Sequence, residues 1–190
     1  MAFPSPGPIS LKQVCDAYNV AYNMNALIGN VYFDSPTDST TSTIIKTPVE
    51  LGQFRGKYVS STGTLQSQEA FAQDGYAGHG IEARSGFNNA SYTLTNGKVT
   101  NLTLNFYLNN RATGSAISGG NNSPNITILQ NGISIPAVLQ DNTTGSKTVI
   151  MNATTFTISV SGNASNNWGD QASASGSWSY SVTKTGVSGP

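Results

Sequence analysis

The chain has one histidine and one cysteine, which narrows the chemistry open to it from the start. His79 stands between Gly78 and Gly80 with no acid or nucleophile beside it. A catalytic imidazole needs such a partner, and a histidine-based metal site needs further imidazoles or thiolates, so His79 reads as a loop residue. Acidic side chains could supply the carboxylate pair of a glycosidase. Here Asp34, Asp38, Glu50, Glu69, Asp74, Glu82, Asp141 and Asp170 are scattered, with no shared strand-end pattern. Asp141-Asn142-Thr143 and Asn167-Trp168-Gly169-Asp170 have the composition of loose calcium-loop fragments, which is also that of ordinary turns. The sequence holds no phosphate loop, no Gly-x-Ser-x-Gly elbow and no Cys-x-x-Cys pair. The expectation is a protein that is not an enzyme and carries neither metal nor cofactor.

Ligand binding is better served by aromatics. Trp168 lies among Asn166, Asn167 and Asp170. A flat indole can stack on a pyranose face while neighbouring amides and carboxylates bond its hydroxyls. Trp168, Asn167 and Asp170 are therefore the candidate ligand-binding residues. The competing reading is that Trp168 folds back to cap the protein body. Trp178 and Tyr180 share one face of a strand and are expected in the core, and Cys15, beside Val14, is expected to be a small buried hydrophobe.

The elements that must carry these residues fall into two parts. Ser10 and Gln13 form a capping box, and Leu11, Val14, Cys15 and Tyr18 follow on one helical face, with Asn19 as the stop. A second motif, Pro48-Val49-Glu50-Leu51-Gly52-Gln53-Phe54, echoes Pro8-Ile9-Ser10-Leu11-Lys12-Gln13-Val14 as Pro, β-branched residue, N-cap-type residue, Leu, any residue, Gln, apolar residue, and Gly56 stands where a left-handed terminator is wanted. Two short helices in residues 1–57 are too small for a large core of their own. Their apolar faces are expected to be buried against a partner or further copies of the chain. From Tyr58 the hydrophobic period changes to two. Asn96-Gly97 and Asn131-Gly132 each stand between alternating stretches, the strongest short hairpin signal. Thr155–Val160 and Ser177–Val182 alternate as well, with residues 161–172 expected as the loop between them. The prediction is a mainly β protein: a small α-rich N-terminal attachment module (1–57), a linker or irregular sandwich edge (58–90), and an antiparallel β-sandwich of immunoglobulin-like or jelly-roll type (91–190). Within 58–90, Glu69-Ala70-Phe71-Ala72 could be a helical turn and Gly75–Gly80 a Gly-rich loop.

Bulk composition excludes several partners. Charged residues are 9% of the chain, against about 25% in an ordinary globular domain, and nine basic residues balance nine acidic ones. No field points to nucleic acid or an anionic membrane. No apolar run approaches the roughly 18 residues needed to cross a bilayer, and the first residues carry neither the basic nor the apolar region of a signal peptide. Synthesis in a cytoplasm is the expectation.

The paired motifs carry a resemblance. Gly7-Pro8-Ile9-Ser10-Leu11-Lys12-Gln13-Val14 followed by Thr47-Pro48-Val49-Glu50-Leu51-Gly52-Gln53-Phe54-Arg55-Gly56-Lys57 resembles the N-terminal module of tailed-bacteriophage virion proteins of the tail and tail-fibre type. There a Gly-x-Ile-Ser-Leu segment precedes an Ile-Ser-Leu-Ser-x-Phe/Tyr-Tyr/Arg-Gly-Lys segment, and a variable β-rich region follows. The resemblance covers about the first third of the chain. It departs at Glu50, where the family has Ser, and in the Ser/Thr-rich insert at 34–43. It implies a virion structural protein of tail, fibre or collar, homo-oligomeric, bound to other virion proteins and located in the phage particle. The alternatives are a capsid decoration protein and, on the strength of Trp168, a host-receptor or carbohydrate-binding module with a host surface glycan as partner. The anchoring interface it implies is Leu11, Val14, Tyr18, Leu51, Phe54 and Arg55.

Overall fold

A computed structural model describes residues 2–4, 7–76, 79–113, 117–118, 125–128, 133–136, 143–166 and 168–190. The Asn131-Gly132 turn, Asp141, Asn142, Gly78 and Asn167 lie outside the described residues. The protein is mainly β and antiparallel, with one α-helix, near the N-terminus, among the described residues.

Helix α1 (Leu11–Tyr18) begins as its capping box requires. The Gln13 N–H donates to Ser10 Oγ at 3.2 Å, and the Ser10 N–H donates to Gln13 Oε1 at 2.8 Å. Asn19 ends it in the left-handed region at φ 52°. A 3-10 turn, Met24–Leu27, follows, then the short antiparallel pair β1 (Val31–Phe33) and β2 (Ser42–Ile44). The second motif forms only a 3-10 turn, Leu51–Phe54, and not the second helix expected. Glu50 makes no side-chain capping bond, Gly52 is the costliest ordinary residue to order in a helix, and Arg55 is already extended.

One antiparallel sheet runs in the order β10 (Thr143–Ala153), β6 (Lys98–Thr113), β5 (His79–Thr95), β3 (Ser60–Thr64), with β4 (Gln68–Tyr76) pairing β5 beyond β3. The other runs β13 (Val187–Ser188), β12 (Gln171–Val182), β11 (Thr155–Asn166), β8 (Asn125–Ile128), β9 (Ile133–Pro136), with β7 (Ile117–Ser118) on β11. Asn96 and Gly97 both have positive φ, as a two-residue turn between β5 and β6 requires. The inner faces of the two sheets meet in one core that includes Phe87, Leu94, Leu104, Phe106, Phe156 and Ile158. Tyr180 stacks on Phe156 in that core, and partly buried Trp178 meets the edge of Phe87.

Three expectations are corrected. Residues 58–90 are not a linker: their described residues include β3 and β4, regular strands along one edge of the sheet, and most of β5, and a boundary at 91 would cut β5. Glu69–Ala72 is strand, not helical turn, because Phe71 pairs with Arg84 and Ala72 with Ala83. The loop expected over 161–172 shrinks to the residues between Asn166 and Gln171. Inward-facing Ala164, Ala172 and Ala174 continue the strand period with side chains too small to announce it.

Residues 1–57 do have a core. Phe3, Val14, Cys15, Leu27, Tyr32, Ile45, Phe54 and Val59 are buried together. Strand β1 is shared: Tyr32 enters this core while Val31 and Phe33, on the opposite side of the strand, enter the main one.

Candidate functional site

The two ends of the β body are chemically different. At one end lie the β5–β6 turn and the turn after β12, and the N-terminal elements sit against both. Asn96 Nδ2 donates to Asn30 Oδ1 at 2.6 Å, and Lys184 Nζ donates to the Gly29 carbonyl. Further along, the Ser39 and Tyr92 hydroxyls bond at 3.0 Å, and the Thr62 N–H donates to the Pro36 carbonyl at 2.9 Å.

The residues expected to anchor the protein divide by burial. Val14 and Phe54 are fully buried inside the chain itself, which corrects their placement on an anchoring surface. Phe54 is enclosed by rings: Phe3 at 5.6 Å, Tyr32 at 5.8 Å and Tyr18 at 6.4 Å between centroids. Tyr18 is held there by a 2.8 Å bond from its hydroxyl to the Val31 carbonyl, and burial pushes its pKa up. Leu11 and Leu51 are half-buried against the same core, and Arg55 is exposed. Lys57 is engaged instead, donating to Asp34 at 2.6 Å with its ammonium 5.8 Å from the Tyr32 ring. The large apolar side chains exposed among the described N-terminal residues are Tyr22, Ile28 and, on β2, Ile44. Tyr22 leans on the helix through its hydroxyl, which donates to Asp16 Oδ1 at 2.7 Å.

At the other end, β11 and β12 are joined by a turn built around Asn166, which is itself buried. Its Oδ1 accepts from the Trp168 and Asp170 N–H groups, both at 3.0 Å, and its Nδ2 donates to Asp170 Oδ2 at 2.7 Å. Gly169 takes φ +91°, a left-handed conformation that suits glycine. These bonds lift Trp168 onto the tip, where it is 65% exposed, so it does not fold back to cap the body. Asp170 closes the turn, and Asn167 lies outside the described residues. In the sequence Asn166 stands out only as a neighbour of Trp168; the Asn-x-x-x-Asp spacing around Gly169 is the signal for its role. Just below the tip, a depression of about 280 Å³ is lined by Asn163, Ala164, Ser165, Gln171, Ala172 and Ser173.

Strand β4 supports this end. Asp74 Oδ2 accepts from the Gln171 N–H at 3.0 Å and its Oδ1 from the Gly75 N–H at 2.8 Å. These two bonds, the Gln171 one first, hold the Asp74 carboxyl below the usual carboxylate range. The same β4–β5–β6 surface gathers a group that the sequence did not suggest. The Tyr107 hydroxyl donates to Glu69 Oε2 at 2.7 Å, and Arg84 Nη1 donates to Glu69 Oε1 at 3.2 Å. Burial first, and the Glu69 bond second, raise the Tyr107 pKa above its ordinary value. Glu69, Arg84 and Tyr107 are far apart in the chain and met only when the strand register was known.

Among the described residues, no group of three or more His, Cys, Asp or Glu side chains is placed to hold a metal ion, and no helix is long and apolar enough to cross a membrane. The fold thus defines a mainly β protein with an N-terminal end and an opposed aromatic tip. No family model, curated protein or solved structure matches the chain.

Proposed function

We propose that the chain is a structural component of a tailed-phage virion, attached through its N-terminal end and carrying its β body outward. One observation carries the reading: the N-terminal elements and the Trp168 turn lie at opposite ends of β11 and β12. The twelve residues of β12 separate them by roughly 35–40 Å at the usual rise per strand residue. The paired N-terminal motifs support the same reading from the sequence. The attachment surface is the exposed remainder of that end, Arg55, Tyr22 and Ile28 with the half-buried Leu11 and Leu51, because Val14 and Phe54 are already occupied. Arg55 makes no ion pair among the described residues, and a guanidinium suits a carboxylate on a neighbouring subunit or virion protein. Weak contacts of this size become firm when repeated in a ring or trimer.

The test is incorporation. In particles of the encoding phage, the double variant Tyr22→Ala, Arg55→Glu is expected to lower occupancy by about tenfold or more, as loss of interface anchors does, while the purified protein keeps its circular dichroism spectrum. Particles that carry the variant at full occupancy reject the reading. The exposure of Trp168 favours a second reading, a receptor-binding or carbohydrate-binding protein working from the far end. On a glycan array that reading requires binding that Trp168→Ala removes.

A further inference from the structure

The outer face of β4, β5 and β6 gathers charged, amide and aromatic side chains into one patch. Strand register places three rows side by side: Gln73–Glu82–Arg111, Phe71–Arg84–Asn109 and Glu69–Gly86–Tyr107. In a chain with 9% charged residues, four of them fall within these nine positions. Two are acidic and two basic, so the face carries no net sign.

The group is preorganised. Arg84 reaches Glu69 at 3.2 Å and Glu82 at 3.7 Å, and its guanidinium carbon lies 4.7 Å from the centroid of Phe71. Tyr107 crosses Gly86 to reach Glu69; a side chain at Gly86 would collide with the Tyr107 ring and the Gln68 carbonyl. Three paired strands hold the side chains without help from a loop. Phe71 is nevertheless 47% exposed, an apolar ring on the outer face of β4.

We propose that this face binds a neutral polysaccharide, a role independent of the attachment reading. The ring of Phe71 offers a surface for the C–H face of a sugar. Glu69 and Glu82 accept hydrogen bonds from hydroxyls, and Arg84, Gln73 and Asn109 donate to them. A charged ligand gains nothing from a balanced set, whereas a polyhydroxyl one uses both signs. The face is open, and β4 and β6 stand about 10 Å apart at two strand spacings, which accommodates a stretch of polymer better than a single ring.

The experiment is affinity gel electrophoresis of the full chain in gels containing dextran, galactomannan or a soluble β-glucan, with alginate as an anionic comparison. Retardation by at least one neutral polymer is expected. Phe71→Ala should raise the apparent dissociation constant by about tenfold, Phe71→Tyr should restore binding, and Trp168→Ala should leave it unchanged. Thermal melts of each variant separate lost binding from lost folding. Retardation by none of the neutral polymers, retardation by alginate alone, undiminished binding in Phe71→Ala, or binding lost in Trp168→Ala but not in Phe71→Ala would each overturn the proposal. None of these outcomes bears on particle incorporation, so the two readings fail separately.

Discussion

Asp74 shows how one side chain can tie a turn to a neighbouring sheet. Its carboxylate caps the Gln171 N–H at the start of β12 and the Gly75 N–H on its own strand. Both bonds favour the ionised form, so the folded pKa lies below the unfolded value of about 3.9. The stabilisation is therefore present above that unfolded value and is lost as pH falls through the folded pKa. Asp16, held down chiefly by Lys12, and Asp38, held down chiefly by Thr40, shift in the same direction. Removing Asp74 therefore removes one part of the acid response and leaves the others. Urea midpoints measured from pH 6 down to about pH 2 should converge for the native chain and Asp74→Ala, the native chain losing its advantage below about pH 4. Parallel curves across that range would mean the carboxylate does not hold the β12 start in solution.

Elements differed in how plainly their residues announced them. Helix α1 was legible because its cap is local: Ser10 and Gln13 bond each other within one turn. The β5–β6 hairpin was legible because Asn96-Gly97 is among the few pairs that take positive φ at both positions. For Trp168 the sequence left two readings, and its exposure decides only against the one in which it caps the body. The strand β4 was not legible, because Glu69-Ala70-Phe71-Ala72 suits a helix by propensity and only pairing with β5 decides the matter. Strand β1 escaped notice because three residues cannot display a period. The platform of Glu69, Arg84 and Tyr107 escaped for a related reason: its geometry exists only through long-range register. Two glycines make contrasting predictions, one in that register and one outside it. Gly86→Ala places a methyl against the Gln68 carbonyl and the Tyr107 ring and should cost about 1–3 kcal/mol, as overpacking does. Gly52→Ala meets open space in a helical turn and should be neutral or stabilise by up to about 1 kcal/mol. Chemical denaturation of the two variants checks both signs, and a Gly86→Ala chain as stable as the native one would contradict the β4–β5 pairing.

At the scale of the whole molecule, the N-terminal end is joined to the body through its interior. Val31 and Phe33 fill the main core while Tyr32, between them, fills the smaller one. Backbone bonds reinforce the join, with the Phe33 N–H donating to the Tyr58 carbonyl at 2.8 Å and the Tyr58 N–H returning to the Phe33 carbonyl at 3.0 Å. If the N-terminal end serves the attachment proposed above, β1 is the strand through which it passes load to the body, since its side chains are held in both cores. The shared strand also means that the two cores should melt together. Cys15, fully buried in the smaller core, reports its opening through thiol reactivity, and Trp178, packed on Phe87, reports the body through fluorescence. In a urea titration the two signals should change over the same range. Phe33→Ala should move both midpoints down together by an amount corresponding to about 3–5 kcal/mol. If Cys15 becomes reactive well before the Trp178 signal moves, the N-terminal end is a separable module, and the load path through β1 does not exist.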